Sequence, residues 1–322
     1  MTSDQPAFRC SDAARERQDP MLGTAPPQGR FLLVEQDSGW AYDGFPSIPM
    51  PEDVRAEVLR RAERVGARVM LIRRPGRPSS SVCSLRSWCV VDGGAAEGHR
   101  VTWGTWAYPA ELLSGVDRLE ELARWSLQGT DVAAAGVPGD DEPLLLVCTH
   151  GKKDVCCAVR GRPVAAALAA RWPEQTWECS HTGGDRFAAN LLLLPDGATY
   201  GGLDVEAAHQ VVRAHSEGRP VTAYLRGVIG RPRPVQAAVV AVHEQMGPLP
   251  WRDVVPTGTV PLEPTEDEVA ATLVRMELRD GRLVEVEVRE HVRAAARLTC
   301  QGGVPKVSQV PVPGTVRVVA GV

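Results

Sequence analysis

Two stretches decide the reading of this chain. The first is Leu144-Leu-Leu-Val-Cys148-Thr-His150-Gly-Lys-Lys-Asp154-Val-Cys156-Cys157. The second is Cys179-Ser-His181-Thr-Gly183-Gly184-Asp185-Arg-Phe-Ala-Ala-Asn190-Leu-Leu-Leu-Leu194. Four of the eight cysteines and two of the seven histidines lie here, so the soft ligands are concentrated in one loop system. Leu144 to Val147 reads as a buried strand, Pro163 to Trp172 as an amphipathic helix, Thr176 to Cys179 and Asn190 to Leu194 as further strands. Thiolate and imidazole groups at loop positions beside strands and a helix suit iron–sulfur or zinc chemistry better than carboxylate hydrolysis.

Cys148 closes a strand and therefore sits at the carboxyl edge of a sheet, where α/β folds place their sites. Lys152 and Lys153 bring positive charge to the same loop, which favours thiolate. Cys156 and Cys157 are neighbours that cannot easily point the same way, so one of them is expected to be a ligand. Cys179 and His181, spaced by two, can face one side. Gly183 and Gly184 permit a tight turn or a close approach to a bulky cofactor. His150 is suited to an outer hydrogen bond toward a cluster, and Asp154 to a cap. No pair has Cys-x-x-Cys spacing, which weakens a zinc ribbon and a thioredoxin-type dithiol. Cys10, Cys83, Cys89 and Cys300 read as small apolar core residues. His99, His209, His215, His243 and His291 likewise lack ligand-like company.

The rest of the chain gives context. A length of 322 residues allows two or three domains, and 43% hydrophobic with 24% charged residues is ordinary for a globular protein. The net charge of −4 gives no support for nucleic-acid binding. No run approaches the roughly 18 to 20 apolar residues of a membrane span, and the first residues lack a signal-peptide core, so a cytoplasmic location without membrane contact is expected. There, clustered cysteines point to metal or catalytic roles rather than disulfides.

Residues 1 to 29 read as a loop-rich entry. Phe31 to Glu35 is a strand, Pro51 opens a helix to about Val65, and Ala67 to Ile72 is a strand. Val82 to Val91 and Arg100 to Trp106 form a pair, and Leu112 to Leu127 is a helix. With a further short strand near Thr199 and a helix from about Val205 to Ser216, both halves read β-α-β-β-β-α, the order of a thioredoxin fold. The fold class expected is α/β: a degenerate thioredoxin-like half over 1–135, a ligand-bearing thioredoxin-like domain over 140–230, and a small α+β module over 231–322. In that last segment Val235 to Met246 is a helix, and Ala271 to Glu290 alternates about Asp280-Gly281 as a hairpin.

The motifs Cys148-x-His-Gly-x-x-Asp-x-Cys-Cys157 and Ser180-His-x-Gly-Gly-Asp-Arg-Phe-Ala-x-Asn190 resemble those of the sucrase/ferredoxin-like family. Cys10-Ser-Asp12, Asp19-Pro20, Gly23 to Pro26 and Leu32 to Trp40 extend the likeness over about residues 8 to 230. The resemblance implies a [2Fe-2S] cluster on a thioredoxin-like ferredoxin. Cys148 and Cys157 (Cys156 competing) would form one ligand pair, and His181 with position 185 the other. Position 185 is Asp here rather than His, and a carboxylate is a hard ligand for such a cluster. Cys179 is the softer substitute and is preferred, giving three cysteines and one histidine. The implied function is one-electron transfer to a redox partner protein or a small-molecule acceptor. A thiol-disulfide oxidoreductase using Cys156/Cys157 and a structural zinc module are the alternatives.

Overall fold

The computed structural model describes residues 7–76, 85–94, 100–128, 141–247 and 249–319. Cys83, His99 and the start of the strand expected from Val82 lie outside the described residues. A short helix, α1 (Cys10–Glu16), precedes strand β1 (Arg30–Glu35). α1 falls within the stretch that reads as a loop-rich entry, because seven residues without a side-chain cap do not hold a helix by themselves. Tertiary contacts hold it: Cys10, Ser11 and Ala14 are buried, and Arg160 donates to Ser11 Oγ (2.8 Å) and to Asp12.

Next come α2 (Glu52–Arg64), β2 (Ala67–Arg73), β3 (Arg86–Asp92), β4 (Val101–Trp106) and α3 (Leu112–Gln128). α2 starts on acidic Glu52 and Asp53 and ends on Arg61 and Arg64, the distribution its macrodipole favours. Arg61 also reaches Glu120 of α3 at 2.6 Å. The second half repeats the order with β5 (Leu144–Cys148), α4 (Val155–Arg171), β6 (Thr176–Cys179), β7 (Leu191–Leu194), β8 (Ala198–Tyr200) and α5 (Val205–Ser216). α4 begins two turns before the helix expected from Pro163, because Asp154 caps it by accepting the Cys156 amide at 2.9 Å.

Both halves, with β9 (Leu225–Val228), share one nine-stranded sheet in the order β4-β3-β1-β2-β6-β5-β7-β8-β9. Within each half the first strand runs parallel to the second and antiparallel to the third, which pairs antiparallel with the fourth. The halves join where β2 meets β6 antiparallel, Ile72 opposite Cys179.

Side chains alternate across strands, and here both faces are covered. Phe31, Leu33, Met70, Ile72, Leu146 and Leu192 share one core on one face. The intervening Leu32, Val34 and Leu71 pack with Val58, Leu112 and Val116 of α2 and α3. Leu145, Val147, Leu191 and Leu193 pack with Val164 and Leu168 of α4 and Val211 of α5. Each fully buried leucine stabilises by about 1.5–3 kcal/mol, so the run Leu191–Leu194 is a principal anchor of the second half. The sheet curls onto its shared core: Trp103 of β4 stacks on Trp177 of β6 at 5.5 Å, and Arg100 pairs with Asp196 beyond β7 at 3.2 Å.

After α6 (Arg233–Gln245) follow β10 (Val254–Leu262), β11 (Ala270–Leu278), β12 (Leu283–Ala296), β13 (Lys306–Pro313) and β14 (Arg317–Val319), a five-stranded antiparallel sheet. The hairpin at Asp280-Gly281 closes with Leu278 N–H donating to Arg282 O at 2.8 Å. Val235, Ala238 and Val242 of α6 pack on Val274, Met276 and Val286. Among the described residues no helix is long and apolar enough to cross a membrane.

His243 of α6 is 6% exposed and stacks on Trp251 with ring centroids 5.4 Å apart. Neither ring nitrogen has a hydrogen-bond partner among the described residues. Burial, reinforced by His215, pulls its pKa from 6.5 to about 4. As pH falls below 6.5 the unfolded chain therefore takes up this proton first. Stability is lost progressively down to about pH 4, by about 3 kcal/mol in all. His243→Phe, which keeps the stacking, is expected to flatten the fall of Tm over this window. An unchanged slope in calorimetry would remove His243 as its source.

Candidate metal centre

The first loop is held by backbone bonds at the end of β5. Cys148 N–H donates to Asn190 O (3.0 Å) and Thr149 N–H to Cys179 O (3.1 Å), so the two motif-bearing loops are tied at their roots. Gly161 of α4 lies against the Cys148 carbonyl, where a Cβ would come within 2.2 Å of the oxygen, so only glycine lets the helix sit this close. Successive helix residues diverge by about 100°. Cys156 and Cys157, first-turn residues of α4, accordingly turn to two different groups.

Cys157 turns toward the second motif. Its thiol donates to Asp185 Oδ1 at 3.2 Å, and the Cys148 thiol lies close enough to interact with it electrostatically. His181 Nδ1 lies 2.9 Å from the same Asp185 oxygen but out of line for a hydrogen bond, leaving a buried nitrogen without a proper partner. Cys148, Cys157, His181 and Asp185 thus form one contiguous group. The neighbouring Cys157 thiol draws the Cys148 thiol down, and the same pairing pushes the Cys157 thiol well up. Burial opposes ionisation of Asp185, yet contacts with His181, Cys157 and Arg226 hold its carboxyl below the usual range.

Cys179 stands beside Cys148 in the β5–β6 register, and the two share one core. Its thiol makes no hydrogen bond among the described residues. Burial first, then negative charge on Cys148, pushes that thiol well up. The sequence preferred Cys179 over Asp185 as fourth donor. In the structure it is Asp185 that touches both Cys157 and His181.

His150 uses both ring nitrogens. Nδ1 accepts from the His181 amide at 3.3 Å, and Nε2 lies 2.8 Å from Ala41 O. It therefore orients the His181 backbone and has no nitrogen to spare for a metal. Gly183 and Gly184 adopt left-handed φ of +89° and +74°. The close approach at Gly184 is to Arg226, whose Nη2 a Cβ would meet at 2.3 Å, while Gly183 faces open space. Arg226, 1% exposed, donates to Gly183 O (3.1 Å), Asn190 Oδ1 (2.8 Å), Thr24 Oγ1 (3.0 Å) and Thr24 O. The His181 side chain is 25% exposed and borders a cleft of about 650 Å³, also lined by His150, Arg68, Lys153, Tyr42 and Asp43.

Cys156 turns to a second group. Its thiol and those of Cys10 and Cys300, with the Asp154 carboxylate, lie within 4.8 Å of one another, and this group could hold a metal ion. Cys156 and Cys300 sulfurs are 3.4 Å apart, and Cys10 Sγ lies 3.4 Å from Asp154 Oδ2. Cys300 N–H donates to Asp154 Oδ2 at 2.7 Å. Sequence reasoning treated Cys10 and Cys300 as ordinary core residues. They lie 290 positions apart and neither sits in a ligand-like motif, so no local signal could have joined them.

The Cys10, Asp154, Cys156 and Cys300 group offers soft donors that could hold a metal ion, and in the first group the His181 nitrogen is left without the partner that packing normally supplies. No curated protein and no solved structure matches this chain. The family model for sucrase/ferredoxin-like proteins matches residues 21–227, well over half of the 322. This chain, with its Cys-rich loops and fused sheet, belongs to the sucrase/ferredoxin-like family.

Proposed function

We propose that the protein is a one-electron carrier whose [2Fe-2S] cluster is held by Cys148, Cys157, His181 and Asp185. The observation that carries this reading is the convergence of two loops, 24 or more residues apart in sequence, on a buried thiol and carboxylate and a partly exposed imidazole in direct contact. Asp185 is taken as fourth donor on its contacts, with Cys179 the softer alternative. The cluster would supply a one-electron couple, and an imidazole in place of a thiolate raises its potential by removing negative charge. The recurring β-α-β-β-β-α order with the same strand pairing in each half supports the thioredoxin-like reading.

The protein's own residues have three tasks. His150 orients His181 through its amide; Arg226 fixes the Gly183-Gly184 turn; and the cleft beside His181 admits a redox partner or a small acceptor. A reducing, cytoplasmic setting suits a chain whose described cysteines are all free. The vicinal dithiol alternative loses ground because Cys156 and Cys157 turn to separate groups.

Anaerobic purification tests the proposal. Iron and acid-labile sulfide in equal amounts are expected, with an electron paramagnetic resonance signal of mixed ligation after dithionite reduction. Colourless, iron-free protein would end it. His181→Cys should keep the colour and lower the potential by roughly 100 mV or more; an unaltered potential removes His181 from the ligands. Comparing iron retention in Asp185→Asn and Cys179→Ser identifies the fourth donor.

A further inference from the structure

The side chains of Cys10, Cys156, Cys300 and Asp154 form a group separate from the proposed cluster ligands, which they adjoin where Cys156 precedes Cys157 and the Cys157 amide donates to Asp154 O at 3.1 Å. We infer that these four residues form a second, mononuclear metal site that takes zinc and serves to join three distant parts of the chain.

Geometry sets the nuclearity. With Zn–S near 2.3 Å and Zn–O near 2.0 Å, a tetrahedral site places its sulfurs about 3.8 Å apart and sulfur and oxygen about 3.5 Å apart. The observed separations are 3.4 Å for Cys156–Cys300 and 3.4 Å for Cys10–Asp154, with every donor inside 4.8 Å of the others. One ion satisfies such spacing. A bridged pair of irons needs a separate donor pair for each metal and does not fit into it.

Charge points the same way. Asp154 is 0% exposed, and among the described residues no basic side chain forms an ion pair with it. A buried carboxylate without a cation is costly, and a divalent ion bound by the adjoining thiolates removes that cost. Three sulfurs with one oxygen suit zinc far better than magnesium or calcium.

The surroundings are those of an organised site. Asp154 is tied to the α4 N-terminus by the Cys156 amide (2.9 Å), and the Cys300 amide donates to its other oxygen. Cys10 N–H points at Cys300 Sγ at 3.4 Å, as backbone amides do toward metal-bound sulfur. Four protein donors leave no open position, which marks a structural rather than catalytic ion. The ion would pin α1, the start of α4 and the loop between β12 and β13 together, next to Cys157.

The full-length protein, grown with zinc and dialysed, is analysed for metals by mass spectrometry. One tightly held zinc per chain is expected. Cys10→Ser and Cys300→Ser should each lower zinc at least tenfold while iron per chain stays, whereas Cys148→Ser should lose iron and keep zinc. Failure of the electron-carrier proposal would thus appear in iron alone. Cobalt loading should give the strong visible bands of tetrahedral thiolate-bound cobalt. If a variant does not fold, the wild type still decides: a chelator should expose Cys10, Cys156 and Cys300 to alkylation that zinc prevents. Absence of bound zinc and cobalt, labelling indifferent to the chelator, or a Cys156–Cys300 disulfide in freshly purified protein overturns the inference.

Discussion

Cys157→Ser is expected to yield protein with less than about a tenth of the wild-type iron and no visible colour, while Cys156→Ser keeps both. The two residues adjoin in sequence, are equally buried and belong to the same helical turn, so a general packing defect would affect them alike. They differ in direction. Cys157 meets Cys148 and Asp185, whereas Cys156 meets Cys10 and Cys300. Loss of partners that merely orient ligands lowers metal affinity about 10–100-fold, and loss of a donor atom should cost at least as much. Serine is close to cysteine in volume, which keeps the fold intact. Iron per chain and absorbance of anaerobically purified protein give the answer. Equal iron in the two variants would detach the cluster from Cys157.

Arg226→Met is expected to destabilise the fold by about 3–5 kcal/mol, through buried acceptors left without a donor. Its guanidinium serves four acceptors on three segments: Thr24 before β1, Gly183 in the second motif, and Asn190 at the start of β7. Methionine fills the space but leaves these acceptors buried and unpaired, at about 1–3 kcal/mol for each that finds no substitute. Burial, then Arg186, pulls the guanidinium down to about 10, so it remains charged at neutral pH. Taking about 2–4 °C per kcal/mol for a domain of this size, Tm should fall by about 10 °C. Lysine should recover little, since an ammonium cannot reproduce a planar fork with five donors. The same variant should loosen the turn carrying Asp185 and reduce iron occupancy. A Tm within a degree or two of wild type would contradict this account of the turn.

Much of this architecture could be read from local pattern. Apolar runs such as Leu144 to Val147 and Leu191 to Leu194 mark strands buried on both faces, and the hairpin at Asp280-Gly281 follows from alternation about a turn. The early start of α4 was hidden, because Pro163 suggests a helix opening there while the capping by Asp154 lies nine residues before. The rivalry between Cys156 and Cys157 had no answer in sequence, and the structure gives each its own group.

From the chain alone came the identity of the elements, their repeated order and the two ligand-bearing loops. Strand and helix periodicity, caps and turns act over a few residues, and loops that end neighbouring strands are brought together by that order. Packing alone decided that β2 would pair with β6, that Asp185 rather than Cys179 would touch His181 and Cys157, and that Cys10, Cys156 and Cys300 would meet. Those outcomes depend on how curled sheet, α1 and the C-terminal loop share one buried volume, and no interval of sequence encodes that distance.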